Sequence, residues 1–148
     1  MTIAQAGDYW KGSEAADLEP FIKGYEAGGQ PVTTVVTAVC TCGSRQFEVT
    51  VSDDEDAARR RCVRCGDERL MLDSDRRWDE DDDPDECACP CEGEVFDVAV
   101  GFARAGNHHD GAITWASVGL RCIECGTLGV YADWKVDPAA SAQLTEKV

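Results

Sequence analysis

The sequence predicts a mainly β protein of two repeated four-cysteine modules preceded by a short N-terminal helix. Three observations carry that prediction. The 148-residue chain holds nine cysteines, and eight of them fall into close pairs at matching places in its two halves. Setting Cys40-Thr41-Cys42 over Cys89-Pro90-Cys91, an offset of 49, carries Phe47, Val49 and Val51 onto Phe96, Val98 and Val100. Setting Arg61-Cys62-Val63-Arg64-Cys65-Gly66 over Arg121-Cys122-Ile123-Glu124-Cys125-Gly126, an offset of 60, carries Leu70 onto Val130 and Asp73 onto Asp133. Random cysteine placement would not bring the flanking aromatic and valine positions along. The chain therefore reads as a repeated unit, with an eleven-residue insertion that lengthens the second copy around Gly106 to Gly111.

Residues 1–30 lack cysteine and carry the helix. Asp17 stands where an N-cap would, and Pro20 is tolerated in a first turn. Leu18, Phe21, Ile22 and Tyr25 recur at helical spacing to make one apolar face, and Gly28-Gly29 stops the element. Residues 31–78 form the first module. Val32 to Val39 is β-branched and threonine-rich, Phe47, Val49 and Val51 alternate with polar residues, and Leu70 to Leu72 follows Cys65-Gly66 as a further short strand. Ser52 to Asp56 reads as an acidic loop. Asp73 to Glu86 holds nine acidic residues against Arg76 and Arg77, so residues 79–86 read as a solvated linker. Trp78 is its one large apolar residue, placed to dock onto the preceding strands. Residues 87–137 form the second module, with strands over Glu94 to Phe102 and Ala112 to Leu120 and a turn over Arg104 to Gly111. Residues 138–148 read as a disordered tail. Trp134 falls after the last predicted strand, as Trp78 does in the first module.

At 148 residues the chain fits one ordinary domain, whose core could hold together unaided, or two very small ones, which the nine cysteines make plausible. Two halves of about 50 residues are each near the limit below which a core needs staples. The longest apolar run, Val32 to Val39, is far too short to span a bilayer. Met1-Thr2-Ile3-Ala4-Gln5 contains no basic residue leading into an apolar stretch, so the chain does not open like a secretory signal and is expected to be cytoplasmic. In a reducing compartment, paired cysteines hold metal more often than they form disulfides.

Each module offers four thiols, Cys40, Cys42, Cys62 and Cys65 in the first and Cys89, Cys91, Cys122 and Cys125 in the second. Four thiolates close a tetrahedral shell around zinc, and the expectation is two zinc ions per chain. The glycine after each Cys-x-x-Cys relieves crowding where the chain turns beneath the sulfurs. Iron in a four-thiolate site would use the same ligands. Disulfides would fit a secreted protein, and a redox dithiol would want a βαβ context that the pattern lacks. Cys87 has no counterpart in the first module and reads as a spare, partly exposed thiol.

The Cys-x-x-Cys-Gly knuckles, each ahead of a short strand, resemble zinc ribbons over about two-thirds of the chain. Cys40-Thr41-Cys42-Gly43, with Phe47 and Val49 following, also resembles the opening of the glutathione-dependent formaldehyde-activating enzyme family. That family's second cluster is Cys-x-Cys-x-x-Cys. Here Arg60 and Leu120 stand where its extra thiol would be, so the resemblance implies a related β-rich zinc scaffold without that family's chemistry.

The net charge of −15 disfavours general affinity for nucleic acid or anionic membrane and favours a partner with a basic surface, or simple solubility. The expected function is therefore that of a non-enzymatic zinc protein whose acidic surface mediates protein–protein interaction. The alternative is a nucleic-acid-associated ribbon using the cluster Arg59-Arg60-Arg61, Arg64 and Arg69, since arginine suits phosphate geometry. Acidic neighbours at Asp53 to Asp56 and Asp67-Glu68 offer those arginines internal partners as well. A zinc-scaffold enzyme would have to draw on His108-His109-Asp110 or Cys87, and no catalytic constellation accompanies either. His108-His109-Asp110 reads as a solvated turn.

Overall fold

The computed structural model describes residues 3–6, 9–12, 14–24, 32, 34–52, 57–72, 85–89, 91–104, 113–136 and 148. Trp78, the acidic run 73–84, the loop 53–56, Tyr25, Gly28-Gly29, His108-His109-Asp110 and the tail 138–147 lie outside them. The elements are β1 (Ile3–Ala6), β2 (Tyr9–Gly12), a 3-10 turn (Ala15–Asp17), α1 (Leu18–Lys23), β3 (Thr34–Thr37), β4 (Phe47–Ser52), β5 (Ala57–Cys62), β6 (Glu68–Leu70), β7 (Asp85–Glu86), β8 (Phe96–Arg104), β9 (Ile113–Cys122) and β10 (Thr127–Lys135). All ten strands belong to one antiparallel sheet, in the order β1-β2-β10-β9-β8-β4-β5-β6, with β3 added to β8 and β7 added to β4. The fold is thus mainly β with one short helix.

Period-two alternation sorts the sheet residues between two apolar clusters. Phe96, Val98, Val100 and Phe102 of β8 face the same core as Phe47, Val49 and Val51 of β4 and as Val118 and Leu120 of β9. Ala99 faces the other way, onto Leu18 and Ile22 of α1, Val32 and Leu128. Helix α1 is six residues long, and tertiary packing rather than propensity must hold it. Its seat is made by glycines. A Cβ on Gly119 would stand 2.5 Å from Ile22 Cδ1, and one on Gly101 would collide with Ile22 Cγ2. Replacing Gly101 with valine should therefore lever the helix off the sheet. We expect a loss of roughly 1–3 kcal/mol, the usual cost of overpacking, read from urea unfolding of the metal-loaded protein. An unchanged midpoint would show that Ile22 does not sit as described.

The strand that leads into each Cys-x-Cys pair lies on the other half of the chain. β3, ahead of Cys40, pairs with β8 through Thr37↔Ala99 and Val36↔Val100. β7, ahead of Cys89, pairs with β4 through Glu86↔Thr50 and Asp85↔Val51. Shifting each residue to its counterpart 49 positions away converts one set of pairs into the other. The bonds continue in the same way, Ala38 N–H donating to Val98 O and Cys87 N–H to Val49 O, each at 2.8 Å. Phe47 pairs directly with its own counterpart, Phe96. The two halves therefore exchange their leading strands and share one core.

Several elements differ from the sequence reading. The first thirty residues include the hairpin β1–β2 as well as the helix. Asp17 makes no side-chain cap to α1; it is buried in the 3-10 turn, and its Oδ2 accepts the N–H of Glu14 at 3.2 Å. The strand expected over Leu70 to Leu72 is β6, Glu68–Leu70, after which Met71 and Leu72 turn into the core and Leu72 takes a left-handed φ of 59°. Glu68 and Arg69 sit on an exposed sheet edge, so they show no apolar alternation from which a strand could be read. Trp134 lies inside β10 and is buried. Val148, assigned to the tail, is also buried in the shared core.

Candidate metal centres

Each centre is built where two short turns meet at the end of paired strands. In the first, the turn after β3 brings in Cys40 and Cys42, and the turn after β5 brings in Cys62 and Cys65. Two backbone hydrogen bonds shape the Cys-x-Cys turn: Cys40 N–H to Ser44 O and Gly43 N–H to Cys40 O, both 2.8 Å. The second centre repeats them as Cys89 N–H to Gly93 O and Glu92 N–H to Cys89 O, also 2.8 Å. The Cys-x-x-Cys turns close through Gly66 N–H to Cys62 O at 2.9 Å and Gly126 N–H to Cys122 O at 2.8 Å. Gly66 and Gly126 have φ of 79° and 81°, a conformation that a Cβ disfavours, which is why the position after each motif is glycine.

The sulfurs converge as the spacing predicts. Cys40, Cys42, Cys62 and Cys65 place their Sγ atoms within 4.8 Å of one another, and so do Cys89, Cys91, Cys122 and Cys125. Cys40 and Cys65 are 3.4 Å apart and Cys42 and Cys62 3.6 Å. In the second centre, Cys89 and Cys125 are 3.4 Å apart and Cys91 and Cys122 3.5 Å. A tetrahedron with bonds of about 2.3 Å to sulfur has edges near 3.8 Å, so both donor sets fit one metal ion each with little adjustment. They are far from the roughly 2.05 Å of a disulfide.

Backbone amides prepare the sulfurs for this role. Without metal, Cys62 is drawn down to about 6, first by the N–H of Cys65 and then, against burial, by the N–H of Arg64. Burial opposes ionisation of Cys125, but the hydroxyl and N–H of Thr127 outweigh it and bring this thiol to about 6 as well. Thr127 Oγ1 lies 3.0 Å from the sulfur. Cys65 and Cys91 are pushed up to about 12. The N–H groups of Asp67 and Gly93 favour their anions, but the hydrogen bonds to Cys40 and Cys125 respectively keep their protons in place. Four thiols this close cannot all ionise alone, and a divalent cation removes the conflict.

Cys87 stays out of the second centre, in keeping with its lack of a counterpart. The expectation that it is partly exposed is corrected, because it is 6% exposed. Ala38 fills the corresponding place in the first half, and both residues serve the strand exchange through their N–H groups.

The arginine cluster does not form one surface. Strand alternation turns Arg60 inward, 5% exposed, with its guanidinium carbon 4.6 Å from the centre of the Phe47 ring and its Nε donating to Val148 O at 3.1 Å. Arg61 pairs with Glu48 at 3.4 Å and Arg69 with Asp67 at 2.7 Å. The second half repeats one of these contacts in more buried form, Arg121 with Asp97 at 2.8 Å. Sequence reasoning missed the inward turn of Arg60. The only available signal was that its counterpart is Leu120, itself fully buried. Trp115 is half-buried and donates Nε1–H to Asp133 Oδ2 at 3.2 Å, while Trp10 is exposed.

Among the described residues no helix is long and apolar enough to cross a membrane. Comparison with protein-family models, curated proteins and solved structures finds no match to the chain.

Proposed function

We infer that the chain is a zinc protein made of two copies of one ribbon-like unit, each closed by a four-cysteine centre, and that it works as a non-enzymatic interaction protein. The observation that carries this reading is the geometry of the two closed donor sets. Four thiolates fill the shell of zinc, whereas catalytic zinc keeps a position for water. When bound, zinc supplies cross-linking and charge neutralisation; the chain's own residues supply the thiolates and the N–H groups that steady them. Zinc suits this role better than iron because it has no redox chemistry to be protected from solvent, and Cys42, Cys65 and Cys91 are exposed. The matched hydrogen bonds of the two turns and the exchanged strands support descent of both halves from one unit, on the β-rich zinc scaffold that the sequence resembles.

The proposed partner is a protein with a basic surface, on the ground of the net charge of −15. The pairing of Arg61 and Arg69 with acids and the burial of Arg60 leave less of the arginine cluster for phosphate than the sequence offers, so nucleic acid is the weaker alternative. Two measurements test the reading. Purified protein should carry two zinc ions by elemental analysis, Cys89→Ser should lose one of them, and Cys87→Ser should keep both. Filter binding to mixed DNA and RNA at near-physiological salt should show weak association at most. Tight binding there that Arg59→Ser with Arg64→Ser abolishes would replace the partner proposed here with nucleic acid.

A further inference from the structure

The two centres share a backbone frame but differ in the residues at corresponding positions around it. Position 43 of the first Cys-x-Cys turn is glycine with φ of 92°; its counterpart is Glu92, which holds a φ of 76°. A residue with a Cβ is strained in that left-handed conformation. The second turn thus carries a cost that the first avoids.

Charge differs in the same direction. Four thiolates around a divalent zinc leave a net charge of −2, which nearby cations stabilise and nearby anions oppose. Arg45 and Arg64 neighbour the first centre's cysteines in sequence, where Asp67 is matched by Arg69 at 2.7 Å, and the counterparts of the two arginines at the second centre are Glu94 and Glu124. Glu124 is not simply nearby in sequence. Its Oε2 and the sulfurs of Cys122 and Cys91 surround one point, at 2.5, 2.9 and 3.3 Å from where a Cβ on Gly93 would stand. Gly93 is required there, whereas its counterpart in the first half is Ser44. The arginine common to both frames is matched by an acid in each, Arg61 with Glu48 on the surface and Arg121 with Asp97 in more buried form, so neither pair adds net charge to its centre.

The surrounding structure also tolerates loss of the second ion better. That centre is appended to β8, β9 and β10, strands of 9, 10 and 9 residues with α1 packed on them. The first joins β4, β5 and β6, of only 6, 6 and 3 residues. The β1–β2 hairpin screens part of the second centre, with Gly12 N–H donating to Gly126 O at 2.8 Å, and the first centre exposes Cys42 and Cys65 where the second exposes Cys91, so access to a chelator does not set the difference.

Resting on the reading of both centres as zinc sites, we propose that the centre of Cys89, Cys91, Cys122 and Cys125 is an exchangeable zinc site, while that of Cys40, Cys42, Cys62 and Cys65 is the permanent structural one. Glu92 and Glu124 set the difference, one through backbone strain and the other through repulsion of the thiolate shell. Zinc passes from the second centre to a competing chelator without loss of the fold.

The test follows zinc release from the full-length protein in excess chelator, by native mass spectrometry together with timed alkylation and peptide mapping of the cysteines. Cys91 and Cys125 should become reactive at least about tenfold faster than Cys42 and Cys65, with a one-zinc species accumulating. The double variant Glu92→Gly, Glu124→Arg should retain two zinc ions and bring the two rates within about threefold of each other. Release of both ions at one rate, release from the first centre ahead of the second, or a double variant that leaves the tenfold gap would each overturn the proposal while leaving the zinc reading intact. Protein that carries no zinc at the start would overturn both.

Discussion

Removing both metal ions should cost the protein its fixed tertiary structure, and restoring zinc should return it. A four-cysteine zinc centre contributes on the order of 10–16 kcal/mol to folding, while the whole stability of a domain is only about 5–15 kcal/mol. The short strands β4, β5 and β6 cannot make up that loss. Once they release, Val98, Val100, Val118 and Leu120 lose the facing side of their shared core. Prolonged treatment with a strong chelator should therefore abolish the near-ultraviolet circular dichroism of buried Trp134, whereas release of the ion held by Cys89, Cys91, Cys122 and Cys125 alone should not. Acid should act in the same sense. Cys62 and Cys125 titrate at about 6, below the ordinary thiol value of 9.0, so the stability that their thiolates contribute is present above that ordinary value and is lost as pH falls through about 6. Cys65 and Cys91 must each give up a proton held to about 12 in order to bind, so loading releases protons and acidification drives zinc out. Zinc content measured across pH 7.5 to 5 should fall, and content that rises or stays constant over that window would contradict the assignment of these thiols as ligands.

The parts of this architecture that were legible in the sequence are those fixed by local chemistry. Eight cysteines, the glycines after each Cys-x-x-Cys and the Phe-x-Val-x-Val alternation act over a few residues, so the donor sets and the cores of β4 and β8 could be read directly. The route of the chain between them could not. Val36 and Thr37 look like a strand in any neighbourhood, and nothing in them states that their partners are Val100 and Ala99 rather than residues of their own half. Strand exchange is a long-range choice settled by register. β5 escaped notice because Ala57 to Cys62 reads as a basic patch, and only its partner β4 shows that Arg60 is the inward member of an alternating strand. The hairpin Ile3 to Gly12 gave no periodic apolar signal, since it finds its place by pairing with Thr127 and Leu128 at the far end of the sequence.

Because the leading strands are exchanged, damage at the first centre should reach the second. Cys65→Ser removes one of four ligands and loosens the turn that ends β5. β5 is the long-edge partner of β4, paired from Phe47↔Cys62 to Ser52↔Ala57. β4 in turn is the sole strand partner of β7 among the described residues, and β7 runs directly into Cys87 and Cys89. Losing the first metal thus frees the strand that delivers a ligand to the second. Independent modules would predict a variant with one zinc ion at full affinity; exchanged ones predict zinc content below one per chain and weaker retention of what remains. The contact Phe47↔Phe96 offers a second measurement that alters no ligand. Phe47→Ala opens a cavity in the shared core and should cost about 3–5 kcal/mol. Amide exchange should then rise in β8 and β9 as well as in β4 and β5. Proteolytic cleavage within residues 73–84 should leave the halves together on a sizing column, because β3 and β7 still bind them reciprocally. Nicked halves that separate, each with its zinc, would show that the strands are not exchanged in solution.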